Sequence, residues 1–350
     1  MNIAILGASG KVGRQILQRL YEENKIEGLR LTLIARNTDR IEGAIRDIKS
    51  ALPLRILTGA ARPATINADL SSDYADLKNA DMVVMLASAW PTTEQKRRFA
   101  EIDNTNRLVQ SYLNREMVRE ISSQIATHAP NALTIMVTNQ SDMMTMTARE
   151  VLPPHRVLGF GGIIDSSRLR LLLGREGLTD KGHMIGYHNN DMVPMLSSLP
   201  AVDKDTLDKI TNETRAYGGN VLALQKDTAF PTLDSGSSVL PGYGIYTAIA
   251  ALTGQIPPIE ESFNTVLTDP AVATNYGVPS NSALSIPIRL ERGAYRLVSS
   301  HCLTPAEQAH MVGAQARLTE QYEMLLSSGA KAERGRSMYQ EPARPGAVAG

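Results

Sequence analysis

Three side chains in one stretch of this chain have the types and spacing to do chemistry together. The run GFGGIIDSSRLRLLLGREGLTDKGHMIGYHNNDMVP, residues 159–194, carries Asp165 and Arg168 in an apolar, helix-periodic segment. Positions i and i+3 share a helix face, so both side chains can point into one cavity. After the turn Thr179-Asp180-Lys181-Gly182, a short run from His183 to Tyr187 ends in His188. A carboxylate, a guanidinium and an imidazole that meet at one point make the set a 2-hydroxy acid oxidoreductase needs. Arg168 would grip a substrate carboxylate with its planar fork. His188 would move the proton, and Asp165 would hold the imidazole and favour its charged form. The competing reading is structural: a solvated Asp–Arg pair on a helix surface, and a histidine in the turn after a strand.

Such a set needs a scaffold, and the N-terminal half has the pattern of one. Residues 2–6, NIAIL, read as a buried strand, followed directly by Gly7-Ala8-Ser9-Gly10-Lys11-Val12-Gly13. A helical pattern with Val12, Ile16, Leu17 and Leu20 on one side comes next. Strand, glycine turn and helix in this order form the context of a dinucleotide fingerprint. The pyrophosphate would rest on the helix N-terminus. Gly7, Ser9, Gly10, Lys11, Val12 and Gly13 are therefore candidate cofactor contacts. The spacing is GxxGxxG, not GxGxxG, and a tight turn without a ligand is the alternative. A second strand, Leu29 to Ala35, is followed by Arg36 and Arg40, where an NAD enzyme carries an acid for the ribose hydroxyls. A cation there suits the 2′-phosphate of NADP. The alternative leaves both arginines solvated, with Asn37 or Thr38 capping a helix.

Asp81 to Ala87 and Leu133 to Val137 read as further buried strands, with a less clear one near 64–68. Between them, a loop from Ser88 to Arg98 leads into a long helical region reaching about Thr127. Strands alternating with helices predict a parallel, doubly wound sheet with ligands at the strands' C-terminal ends. Asn139 falls at such an end, where it would touch substrate or nicotinamide; alternatively Asn139 and Asp142 cap the next helix. Past residue 150 the pattern turns to α+β: helices near 203–226 and 239–253, short strands between 262 and 298, and a last helix from a Thr304 cap to about Ser327. The expected organisation is a Rossmann domain over 1–142, an α+β catalytic domain over 143–330, and a disordered tail over 331–350, rich in Ala, Gly, Arg and Pro.

Lys+Arg and Asp+Glu both number 36, so no overall field draws nucleic acid or a membrane surface. Cys302 is the single cysteine, which excludes an intrachain disulfide and a cysteine-rich metal site. No metal is expected. No apolar run is long enough to span a bilayer. The N-terminal residues read as a first strand and not as a signal peptide, so the cytoplasm is the expected compartment.

With these residues in view, the chain resembles the lactate/malate dehydrogenase family over roughly residues 1–328. GASGKVG is similar to the family's first glycine turn, VTNQSD to its VTNPVD, IIDSSR to LDxxR, and IGYHNNDMVP to IGEHGDSMVP. Gly236-Ser237 resembles the small-residue site near the substrate. The nearest flavour is the archaeal malate dehydrogenase-like branch, which also has an arginine after the second strand and can use NADP. The resemblance implies His188 as proton donor and acceptor, Asp165 as its partner and Arg168 as carboxylate clamp. It also implies that Asn139 orients substrate and nicotinamide, that Ser237 lines the pocket, and that the subunits form a homodimer or homotetramer.

The departures from the pattern carry information too. The family's mobile loop reads close to GVPRKEGMSR, and here it is AWPTTEQKRR. Counted from Trp90-Pro91, Thr92 replaces the first arginine and Arg98 matches the last, the carbonyl-polarising one. Counted back from Asn106, Phe99 takes that place, with Arg97 a further candidate. Gln140 stands for the family's proline, so a trans peptide bond is expected before it. Asn189 replaces the glycine after the histidine, and Tyr187 the glutamate before it. Thr92 cannot neutralise a second buried carboxylate, which argues against oxaloacetate as substrate. A non-enzymatic or repurposed nucleotide-binding protein on the same scaffold is the alternative function.

Overall fold

The structure, a computed structural model, describes residues 1–89, 107–179, 181–188, 191–199, 202–225 and 238–338. Its centre is a nine-stranded sheet in the order β11-β10-β9-β6-β5-β4-β1-β2-β3. The parallel half comprises β1 (Asn2–Leu6), β2 (Leu29–Ile34), β3 (Ile66–Ser71), β4 (Met82–Met85), β5 (Leu133–Met136) and β6 (Val157–Gly159). β4 and β5 are buried at every position, as expected of parallel strands covered on both faces. Helices α1 (Lys11–Glu23), α2 (Thr38–Leu57), α3 (Arg107–His128) and α4 (Ser141–Arg149) accompany these strands. The stretch 54–70, obscure in the sequence, divides into the end of α2, which runs through Pro53, and β3.

β9 (Ile259–Val266), β10 (Ala283–Glu291) and β11 (Ala294–Leu297) continue the sheet in antiparallel fashion, joined to β6 where Gly159 faces Asn264. Around them lie α5 (Gly161–Arg175), the two-residue strands β7 (Met184–Ile185) and β8 (Val193–Pro194), α6 (Lys204–Gln225), α7 (Val239–Thr253), α8 (Pro270–Asn275) and α9 (Pro305–Met338). The main core fills both sides of the sheet, and a small second core unites Leu169, Leu172, Leu173, Met184, Met192 and Ile210. That second core packs the apolar stripe of α5 against the β7–β8 hairpin and α6. It therefore locks together the segments that carry Arg168 and His188.

Two expectations are corrected here. The last helix does begin behind Thr304, whose backbone N–H donates to Glu307 Oε2 at 2.7 Å, but it continues well past Ser327 to Met338. Residues from 339 on lie outside those described. The Asn139–Gln140 peptide bond, expected trans, is cis. Among the described residues, no helix is long and apolar enough to cross a membrane.

Candidate active site

Asp165, Arg168 and His188 come together. α5 starts immediately beyond β6, and its i,i+3 spacing puts Arg168 Nη1 3.0 Å from Asp165 Oδ1, to which it donates. The other oxygen of Asp165 lies 2.5 Å from His188 Nδ1. The carboxylate is thus shared between guanidinium and imidazole. Asp165 and Arg168 keep 8% and 16% of their side-chain surface exposed, and His188 30%, so the imidazole is the open member of the three. Burial works against a charged His188, but the Asp165 carboxylate, its hydrogen bond and the nearby Asp142 more than offset this and raise the pKa above the ordinary value. The surface-pair reading of Asp165 and Arg168 is thereby excluded.

The segment bearing His188 is fastened on several sides. Gly186 and Ser285 of β10 exchange two backbone hydrogen bonds of 2.9 Å. Tyr187, which is buried, donates its hydroxyl to Gln321 Oε1 of α9 at 2.7 Å. Beyond the histidine, Arg317 donates to Asp191 Oδ2 at 2.8 Å, His310 Nε2 to Asp191 O, and Arg215 Nε to Met192 O at 2.9 Å. The backbone N–H of His188 donates to Asp142 Oδ2 at 2.7 Å. Asp142 is therefore not the helix cap that the sequence allowed, and neither is Asn139.

Asn139 lies exposed at the C-terminal end of β5. Its carbonyl accepts from Asn114 Nδ2 at 2.6 Å, while Asn114 Oδ1 accepts from Ala89 N at 2.7 Å. Asn114, fully buried, thus ties the segment after β4 to the one after β5, and the sequence reading missed it. The signal was present: Ser111, Asn114, Val118, Ile121 and Ile125 form the inward stripe of α3, and an amide in such a stripe needs partners.

The glycine turn fits a dinucleotide. Gly7 has a φ of 83°, and a Cβ there would lie 2.8 Å from Ala87 N. A Cβ on Gly13 would lie 2.3 Å from Ala8 O, so the turn closes this tightly only with glycine. Gly10 is the N-cap of α1 and provides no side-chain cap, and a Cβ on it would meet only Gly7 O, at 3.3 Å. Ser9, Lys11 and Val12 sit partly buried around that turn. At the end of β2, Asn37 caps α2 by accepting from Arg40 N at 3.2 Å, while Arg36 stands exposed just before it. The cap that the sequence allowed for this loop is present, on Asn37. Thr92, Arg97, Arg98, Phe99, Asn189 and Ser237 lie outside the described residues.

Residues 1–159 match the family model for the lactate/malate dehydrogenase NAD binding domain. The match takes in 159 of the 350 residues, and over them the chain is similar to the lactate/malate dehydrogenase family. Malate dehydrogenase of Methanosphaera stadtmanae is 33% identical over 204 residues, a match that spans 57% of this chain and only 59% of that relative's length. Malate dehydrogenase 1 of Aquifex aeolicus is 24% identical over 312 residues, 82% of this chain and 84% of the relative. Among solved structures, malate dehydrogenase from Archaeoglobus fulgidus in complex with NADH superposes with a TM-score of 0.72 at 20% identity, covering 93% of this chain and 99% of that one. Lactate dehydrogenase from Cryptosporidium parvum, complexed with lactic acid and nicotinamide adenine dinucleotide, gives 0.71 at 20% identity, covering 93% and 97%. These structural likenesses, at 20% identity, show that the overall fold of these dehydrogenases extends across nearly the whole chain.

Proposed function

We propose that this protein is an NAD(P)-dependent oxidoreductase of the lactate/malate dehydrogenase type, acting between C2 of a 2-hydroxy acid and the corresponding 2-oxo acid. The observation that carries the reading is the unbroken chain Arg168–Asp165–His188, with bonds of 3.0 and 2.5 Å. Gly7, Ser9, Gly10, Lys11, Val12 and Gly13 would hold the dinucleotide, with Arg36 and Asn139 at its two ends. When bound, the nicotinamide supplies or takes up the hydride. Arg168 binds the substrate carboxylate beside the reacting carbon. In the reducing direction His188 gives its proton to the carbonyl oxygen, and in the oxidising direction it takes the proton from the hydroxyl. Because Nδ1 faces Asp165, Nε2 is the nitrogen that makes the transfer. Asp165 fixes that tautomer and favours the imidazolium.

Arg98 is assigned to polarise the carbonyl, with Thr92 and Ser237 lining the side-chain pocket. Since Thr92 offers no cation, the preferred substrate carries a neutral or polar side chain, and oxaloacetate is a poor one. Arg36 favours NADPH over NADH. The reading also takes the protein as a cytoplasmic homodimer or homotetramer, without nucleic-acid or membrane partners.

The test follows oxidation of NADPH and NADH against a panel of 2-oxo acids that includes oxaloacetate and pyruvate, in wild type and in His188→Asn. The variant is expected to lose nearly all turnover and to retain cofactor binding, because the glycine turn is remote from the imidazole. Substantial turnover in His188→Asn would overturn the mechanism, and a wild type fastest on oxaloacetate would overturn the Thr92 argument.

A further inference from the structure

The carboxylate beneath His188 has a role that the three-residue set does not include. Asp142 lies in the first turn of α4, 1% exposed, and yet caps nothing. Its Oδ2 instead accepts from the backbone N–H of His188 at 2.7 Å. Its Oδ1 is buried, and the Asn264 side chain and the Arg149 charge nearby both favour its ionised form. Arg149, on the same helix, donates to Asn264 Oδ1 at 2.8 Å and to Val157 O at 2.8 Å and makes no ion pair with Asp142 among the described residues. Even so, burial outweighs these influences and pushes the carboxyl upward, so the acid is kept here at a cost. An asparagine would offer the same acceptor to the His188 amide without that penalty, so anchoring alone does not account for an acid here.

The charges around the imidazole account for it. Asp165 faces Nδ1, but its other oxygen is bonded to Arg168, whose positive charge opposes an imidazolium. Beyond the ring, on the same segment, Asp191 is paired with Arg317, and His310 and Arg215 hold backbone carbonyls. Tyr187 turns its hydroxyl to Gln321. Of the carboxylates facing His188, Asp142 is the one with no direct guanidinium partner among the described residues. We propose that Asp142 is a positioning residue for proton transfer: it fixes the main chain of His188 and lays a second negative charge under the imidazole, so that the proton donor is charged when the 2-oxo acid binds. The inference rests on the reading of His188 as proton donor. Burial pushes the Asp142 carboxyl upward, while His188 first, and then Arg149 and Asn264, pull it back, so its titration is linked to that of the ring.

The experiment is an NMR titration of the histidine rings in the full chain, with His188→Asn used to assign the His188 signal. In Asp142→Asn, which keeps the acceptor and removes the charge, the His188 pKa is expected to fall by about one unit or more. The kcat of reduction should drop about tenfold at neutral pH with KM little changed, and the pH limb should move to lower pH by the same shift. A folded Asp142→Asn enzyme with an unshifted His188 ring would mean that the acid is structural only, and the inference would fall. If the variant does not fold, the wild type decides: the His188 amide should exchange slowly with deuterium and its signal should follow a carboxyl titration. A freely exchanging amide overturns the contact. None of these ring and amide readouts requires a substrate, so an active His188→Asn would overturn the proposed reaction while leaving the Asp142–His188 coupling separately measurable.

Discussion

Gly161 and His188 share one space: a Cβ added to Gly161 would fall 2.2 Å from Cγ of the imidazole and 2.3 Å from its Cβ. The first residue of α5 must lack a side chain for the ring to lie on the helix, and Asp165 then meets Nδ1 one turn on. Gly161→Ala should push the ring away from Asp165. Overpacking of this kind typically costs about 1–3 kcal/mol of stability. A displacement of about one ångström from the productive geometry costs on the order of a hundredfold in rate. The expected variant is folded, binds cofactor with wild-type affinity and turns over about a hundred times more slowly. Cofactor fluorescence titration, a melting curve and steady-state rates check it. Full turnover would mean that the imidazole can move without consequence.

On the proposed mechanism, the Asp165 carboxylate would set the pH range of the reaction. With His188 as the proposed proton donor, reduction would require the imidazolium; its pKa is raised above the ordinary value, so the reducing rate should fall as pH rises through it. Oxidation requires the neutral ring and should show the opposite limb. Asp165→Asn removes the charge that holds the proton, and the limb for reduction should move to lower pH. Profiles of kcat/KM against pH, read in the free enzyme, measure this. A limb that stays in place would assign the titration to another group.

What could be read from the chain, and what could not, divides along physical lines. The parallel strands announced themselves because a strand covered on both faces is a continuous apolar run, as in MVVM and LTIM. The Asp165–Arg168 pair was readable because helix spacing is local. Asn114, by contrast, acts through bonds to Ala89 and Asn139, and those partners are 25 residues away on either side. Asp142 read as a helix cap from its position beside Ser141, and only the fold brings His188 N to it across 46 residues of chain. The cis peptide before Gln140 was likewise misjudged from residue type alone.

His183 makes acid stability testable. Burial, Arg170 and His301 push its pKa down from 6.5 to about 4, with Glu260 opposing them. Arg170 Nη2 lies 3.3 Å from its Nδ1, which must accept, so a second proton on the ring has no acceptor there. Between the two pKa values the unfolded chain binds more protons than the folded one. Stability should therefore rise with pH across that window and fall on acidification from pH 6.5 toward 4, by about 3 kcal/mol in all. Glu261, whose pKa burial raises, contributes a slope of the opposite sign, so the comparison must be between variants. Denaturant unfolding of wild type and His183→Gln at several pH values isolates the histidine. Parallel curves for the two proteins would count against the buried neutral ring.

The proposed preference for NADPH would turn on a single exposed side chain. β2 ends at Ile34, and Ala35 offers no carboxylate to the ribose hydroxyls of NAD. Arg36 follows, exposed, while Asn37 beside it is occupied in capping α2. A 2′-phosphate at that strand end would meet a cation, and a charge-assisted contact contributes about 1.5–3 kcal/mol, so NADPH should bind about tenfold or more tightly than NADH. Because the arginine is exposed, the advantage should shrink as salt is raised. Arg36→Ala should abolish the preference by weakening NADPH binding, and leave the NADH affinity close to wild type. Dissociation constants for both nucleotides, at low and high ionic strength, decide the matter. A wild type that binds NADH as tightly as NADPH would show that Arg36 has no part in cofactor choice, and that the glycine turn alone governs the affinity.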